Sequence, residues 1–261
     1  MHARSALFDL YGDHLRARGD EAPVAALVRV LAAVGIAGPA VRTAVSRMTV
    51  QGWLSPVELS AGRGYRLTAA TASRLDDAYS RVYRNGPPPW NGSWHLVLLP
   101  HLESRSRRSR LRLGLAWAGY GEYADRVWVS PYPRAELAAL LRAEGVEATT
   151  AVAADFQPGE PITAWDLDEL GNEYDVWLAE TRQLLEQAHE LHEDADAAAF
   201  AARFVMVHEY RKFLFRDPGL PDVLLPERWP GRVAHRWFSE QATQLYPAAD
   251  RFVARCLVPR P

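Results

Sequence analysis

The chain has 261 residues, of which 48% are hydrophobic and 24% charged, a globular composition sufficient for two or three domains that excludes a wholly disordered chain. The net charge of −2 hides an asymmetry: residues 1–112 carry 16 arginines against 8 carboxylates, and residues 113–261 carry 14 cationic side chains against 24 carboxylates. The front of the chain is therefore suited to an anionic partner, although scattered surface arginine would produce the same count. No apolar run approaches the ~20 residues of a membrane span. The N-terminus meets a carboxylate at Asp9, too early for a secretory leader. The lone Cys256 excludes an internal disulfide and a cysteine zinc site. The expectation is a cytoplasmic protein with no membrane partner.

Two proline-rich breaks, Asn85-Gly-Pro-Pro-Pro-Trp90 and Phe156-Gln-Pro-Gly-Glu-Pro161, divide the chain into residues 1–85, 86–160 and 161–261. In the first part, Ser5 is placed to cap a helix running to Arg18, with Leu7, Leu10, Tyr11 and Leu15 on one face and Gly19 ending it. Pro23 opens a second helix to about Ala33. A turn at Gly35–Gly38 leads to a third helix from Pro39 to about Gly52. Trp53–Leu59 and Tyr65–Leu67 read as a hairpin around Ser60-Ala-Gly-Arg-Gly64. A fourth helix follows from Thr68 to about Arg84.

The second part alternates: a strand at Trp94–Leu99, a basic helix Arg105–Ala118, a hairpin Tyr120–Ser130, a helix Arg134–Glu144 and a strand Val146–Ala153. That βαββαβ order is ferredoxin-like. The third part reads as helices at Glu173–His192, Ala197–Phe215, Pro230–Leu245 and Ala248–Val258. The fold class expected is α+β: an N-terminal winged helix-turn-helix over 1–85, a ferredoxin-like middle domain over 86–160 and a helical C-terminal domain over 161–261.

Helix, turn, helix and a glycine-tipped hairpin make the plan of a winged helix-turn-helix. In its third helix Val41, Val45 and Met48 fall at i, i+4 and i+7 and face the core. Arg42, Thr43, Ser46 and Arg47, with Thr49 beside them, then face outward. Arginine grips guanine O6 and N7 with two bonds, and hydroxyls reach bases or phosphates, so this strip fits a major groove. Arg63 at the hairpin tip, and Arg66 behind it, are placed for phosphates. The alternative is a solvated face on a protein-binding winged helix.

The run Arg105-Ser-Arg-Arg-Ser-Arg110 with Arg112 reads as a solvated face or a contact to the acidic third part, because no aromatics interleave to stack bases. His189 and His192 share a helical face but sit in a solvated acidic end, so no metal site and no cofactor are expected. His208, Arg211 and Lys212 share a face that would receive an anion, with Tyr210 and Phe213–Phe215 lining an apolar slot. A helix packed by those aromatics explains the segment equally.

The chain resembles the phenylacetic acid degradation repressors, the PaaX family of bacterial transcription regulators. The resemblance rests on Ser5-Ala-Leu-Phe-Asp-Leu-Tyr-Gly12, on Val41-Arg-Thr-Ala-Val-Ser-Arg-Met48 with Gly52-Trp-Leu54, on Val127-Trp-Val-Ser-Pro131, and on His208-Glu-Tyr-Arg211 through Asp217-Pro-Gly-Leu-Pro221 to Trp229-Pro-Gly231. It implies a homodimeric repressor bound to double-stranded DNA and released by an aryl-acyl-CoA thioester such as phenylacetyl-CoA. It also implies a middle domain similar to a small CRISPR-associated ferredoxin-fold nuclease subunit. The enzymatic alternative, a metal-dependent nuclease built on that domain, meets the sequence Leu98-Leu-Pro-His101 at the end of the first strand, where the related nuclease carries an aspartate. On this reading the chain is not an enzyme. A palindromic operator and an anion site at His208, Arg211 and Lys212 complete the expectation.

Overall fold

The structure is a computed structural model that describes residues 1–59, 62–83, 88–156, 159–187 and 192–258. The hairpin-tip residues Ser60 and Ala61, the linker residues Asn85–Pro87, the pair Gln157-Pro158 and His189 lie outside the described residues.

The chain divides into two compact units. One comprises Met1–Tyr83, Val176–Arg211 and Arg232–Pro261, and the other Arg84–Asp175 and Lys212–Gly231. The expected third part is thus shared between them.

In the first unit the chain opens with α1 (Ala3–Leu10), a π-helical turn at Tyr11–Leu15 and a 3-10 turn at Arg16–Arg18. Ser5 does not cap this helix, because the helix starts two residues earlier behind His2. The wide π turn brings Tyr11, Gly12, His14 and Leu15 all into the interior, more than one face of a regular helix would bury. Gly19 and Asp20, both left-handed, end the segment. A short strand that sequence periodicity gave no sign of, β1 (Glu21–Pro23), then leads into α2 (Val24–Ala32) and α3 (Gly38–Val50).

The end of α3 is closed by two backbone bonds, Gly52 N–H to Thr49 O at 3.0 Å and Trp53 N–H to Met48 O at 2.9 Å. Their geometry requires a left-handed residue between them, and Gly52 supplies it at φ +73°. Strands β2 (Leu54–Leu59) and β3 (Gly62–Leu67) pair antiparallel, β1 adds to the other edge of β3, and α4 (Ala69–Val82) follows. A Cβ at Gly64 would collide with Leu59 and approach the Ala22 carbonyl to 3.0 Å, so glycine here permits the three strands to close up.

The core of this unit joins distant segments. Leu7, Leu10, Tyr11, Val41, Val45 and Met48 pack with Phe200 and Phe204 of α8 (Ala195–Tyr210) and with Ala249 and Val253 of α9 (Pro230–Leu257). The two helices expected on either side of Pro247 are one. A proline costs an internal bond and strains the turn before it, yet Ala242, Ala249 and Val253 on both sides are buried and keep the axis running.

The second unit holds β4 (Trp94–Leu98), α5 (Arg105–Trp117), β5 (Gly121–Ala124), β6 (Val127–Ser130), α6 (Glu136–Glu144) and β7 (Thr149–Ala153). Its sheet has the order β5-β6-β4-β7, every pair antiparallel. That is the βαββαβ order read from the sequence. Val97, Leu115, Tyr120, Trp128 and Leu137 form its core. The segment Lys212–Gly231 belongs here: Phe213 stacks on Tyr174 at 3.8 Å, and the Tyr174 hydroxyl donates to Asp217 at 2.6 Å. Tyr174 is carried by α7 (Leu167–Gln187).

Candidate nucleic-acid interface and anion site

The inward residues of α3 are those its spacing selects: Val41, Val45 and Met48 are at most 2% exposed, and Ala44 joins them. The opposite strip of Arg42, Thr43, Ser46 and Arg47 is exposed along the helix. Thr49 is half-buried and donates its hydroxyl to Val45 O at 2.9 Å, which withdraws it from the strip. Gly38 at the helix start sits against Val28 and the Arg42 guanidinium, so a side chain there would push on both. The result is a rigid cylinder that presents two guanidinium groups and two hydroxyls to solvent.

Arg63 is exposed on β3, 5.8 Å from the Tyr65 ring centre. Arg66 is exposed as well, but its Nε donates to Glu21 Oε2 at 2.8 Å across the β1–β3 pair. A phosphate at Arg66 would have to compete with that carboxylate, whereas Arg42, Arg47 and Arg63 pair with no carboxylate among the described residues.

The three cations expected at an anion site separate. The α-helical path ends at Tyr210, and a 3-10 turn takes over at Arg211. His208 and Arg211, both in the first unit, converge on Asp9 of α1: His208 Nδ1 lies 2.6 Å from Asp9 Oδ2, and Arg211 pairs with Oδ1. Lys212 belongs to the second unit, exposed and 5.3 Å from the Phe213 ring centre. Tyr210 stacks face to face on Phe238 at 4.0 Å and Phe213 on Tyr174, so these aromatics act as packing groups.

Beside Asp9 lies an apolar cleft lined by Phe8, Gly12, Leu75, Tyr79, Val82 and Val207, with Asp9, Asp13 and Arg211 at its polar end. Its cavity volume is about 30 Å³. A pocket for a drug-sized ligand is roughly ten times larger or more, so this cleft is closed to such a ligand as it stands.

Sequence reasoning missed the most buried charges. Arg203 of α8 is 3% exposed and faces Asp13, which is 6% exposed. Its Nε donates to Ala242 O at 3.0 Å and its Nη2 to the Tyr83 hydroxyl at 3.0 Å. Tyr83 in turn donates to Asp13 at 2.9 Å. Burial alone would raise the Asp13 carboxyl, but Arg203 and the hydrogen bonds outweigh it and hold the group below 3.8. His14 is lowered as well, but towards its neutral form: burial, assisted by Arg203, outweighs the neighbouring Asp13 and lowers its imidazole to about 4. The one available sign in the sequence was a single arginine inside the apolar run Ala197–Val207.

Among the described residues no group of three histidine, cysteine, aspartate or glutamate side chains is placed to hold a metal ion, and no helix is long and apolar enough to cross a membrane.

Comparison with known proteins gives three successive matches: to PaaX-like protein over residues 2–71, to the PaaX protein central Cas2-like domain over 87–163, and to the PaaX-like protein C-terminal domain over 165–255. The transcriptional repressor PaaX of Escherichia coli (strain K12) is 29% identical over 267 aligned positions, covering 96% of this chain and 82% of its own. Among solved structures, the uncharacterized protein Rv0674 from Mycobacterium tuberculosis is similar, with a TM-score of 0.59 and 24% identity over 96% of this chain and 98% of the other. That likeness concerns the fold alone.

Proposed function

The chain belongs to the PaaX-like family, and from that premise we propose that it is a transcriptional repressor whose Met1–Tyr83 segment acts as a winged helix on double-stranded DNA. The observation that carries the reading is the exposed strip of Arg42, Thr43, Ser46 and Arg47 on a helix whose other side is locked into the core. Arg42 and Arg47 read bases, Thr43 and Ser46 reach bases or phosphates, and Arg63 and Arg66 hold the backbone, Arg66 after leaving Glu21. Binding as a homodimer places two such helices on the half-sites of a palindromic operator. The protein has no catalytic task on this reading.

The effector is an aryl-acyl-CoA thioester of the kind that controls an aromatic catabolic operon. Its anionic part displaces Asp9 from His208 and Arg211. Opening the cleft beside Asp9 couples ligand entry to a movement of α1, which packs on α3. Reversing a 1:99 balance of states needs about 5.5 kcal/mol of differential binding, so the ligand must meet groups that move.

A labelled fragment of the chain's own upstream region tests the reading in a gel-shift titration. Wild-type protein is expected to retard it with sequence preference, and Arg47→Ala to fold normally but lose about 1–3 kcal/mol of discrimination against mixed-sequence competitor. Equal preference in the two proteins refutes the role of α3. Cleavage of the fragment in the presence of Mg²⁺ refutes the non-enzymatic reading.

A further inference from the structure

The arginines of α5 are only partly accounted for within the second unit. Five of them, Arg105, Arg107, Arg108, Arg110 and Arg112, crowd eight residues of one helix, and all are exposed. Arg105, Arg108 and Arg112 stack at i, i+3 and i+7 along one face, and Arg107 and Arg110 along the next. Like charges at these spacings oppose helix formation. The first turn contains no acidic residue to offset its cations at the positive end of the helix dipole. Yet the helix is firmly held: Leu111 and Leu115 are fully buried, and a Cβ at Gly114 would collide with Leu140 of α6.

Three of the five are answered inside the unit. Arg110 pairs with Glu144 at 2.8 Å, Arg112 with Glu122 at 2.6 Å, and Arg108 donates to the carbonyls of Leu102 and Glu103. Neither Arg105 nor Arg107 forms an ion pair with a carboxylate among the described residues, although Arg107 is close enough to Glu144 to help lower its pKa. Arg126, which lines a cleft with Arg108 and Arg112, holds a left-handed φ of +62° that glycine would adopt without strain. Arg126 is answered by Asp125 at 3.1 Å, so the local rule is broken with compensation that stops short of Arg105 and Arg107, which marks their end of the face as one kept for a partner.

We infer that this face, with Arg105 and Arg107 at its free end, is a second contact to duplex DNA that grips phosphates without reading bases. The inference rests on the DNA-binding reading above. The absence of interleaved aromatics argued against a nucleic-acid role in the sequence, but that argument concerns single strands, whose bases must stack. Duplex phosphates require only positive charge, and the condensed counterions they release make binding salt-dependent.

The test uses the full-length protein and a fluorescein-labelled mixed-sequence duplex of about 30 base pairs, with affinity read by anisotropy from about 50 to 300 mM KCl. Each phosphate contact contributes about 0.9 to the slope of log K against log salt, so the Arg105→Ala/Arg107→Ala double variant is expected to have a slope shallower than wild type by about 2. The Arg105→Lys/Arg107→Lys variant should restore it, because phosphates answer to charge. If circular dichroism shows the alanine pair unfolded, the two single variants carry the test, each with a slope change of about 1. An unchanged slope in a protein that still binds the duplex overturns this inference alone and leaves the face to another partner, such as an acidic protein segment. A wild-type protein without salt-dependent affinity overturns the proposed function, and this inference with it.

Discussion

Replacing Arg203 with methionine should destabilise the first unit in a way that depends on pH. The substitution removes the guanidinium from Asp13, from the Tyr83 hydroxyl and from the Ala242 carbonyl at once. Asp13, 6% exposed, is left with the Tyr83 hydroxyl and the neighbouring His14. Leaving one buried charge without its partner costs about 3–5 kcal/mol. An independent limit follows from protonation. In the unfolded chain the carboxyl titrates near 3.8, so carrying it neutral in the fold at pH 7 costs about 4 kcal/mol at 1.36 kcal/mol per pH unit. The two values agree, and the second falls by about 2.7 kcal/mol on moving to pH 5. Urea unfolding followed by circular dichroism at both pH values reads the difference from wild type. A loss of about 3–5 kcal/mol at pH 7 that shrinks at pH 5 is expected, with partial rescue by adding Asp13→Asn. A loss below about 1 kcal/mol, in the range of an exposed ion pair, or one equal at both pH values, would show that Arg203 is not a buried counter-ion.

Two further outcomes are open to measurement. His14 takes its proton at 6.5 when unfolded but only at about 4 in the fold. Stability from this group is therefore complete above pH 6.5 and is lost as the pH falls toward 4, a change on the order of 3 kcal/mol. The His14→Gln variant should lack that component, and its urea midpoint should vary less than that of wild type between pH 7 and pH 5; parallel curves would assign the acid sensitivity to other groups. Asp9→Asn removes the carboxylate that competes for His208 and Arg211, so phenylacetyl-CoA should bind about tenfold more tightly, a gain near 1.4 kcal/mol that matches a charged hydrogen bond. Thermal-shift titration reads this, since ligand at about 100 times its Kd adds about 2.7 kcal/mol to the folded state. Weaker binding by the variant would mean that Asp9 holds the site together instead of blocking it.

Much of the local structure was legible because periodicity and punctuation act over a few residues. Val41, Val45 and Met48 announce the inner face of α3 and thereby the outer strip, Gly52 announces its end, and the βαββαβ order follows from alternating patterns. The proposed anion site was legible only as a set of cations. Spacing on a continued helix brings His208, Arg211 and Lys212 to one face, but the change to a 3-10 turn at Arg211 alters the angle per residue. Spacing also contains no information about Asp9, 199 residues from His208 in the chain.

By itself, then, the sequence determined what depends on neighbours along the chain: which residues line each helix face, where glycine and proline interrupt, and the charge that the N-terminal part offers to an anionic partner. Tertiary structure alone decided which distant segments share a core, that one helix runs through Pro247, and that Arg203 and Arg211 serve buried carboxylates while Arg42 and Arg47 stay in solvent. The physical reason is that an arginine carries the same charge everywhere, and only the burial of its surroundings sets whether that charge must be answered from within the protein or is left for a partner.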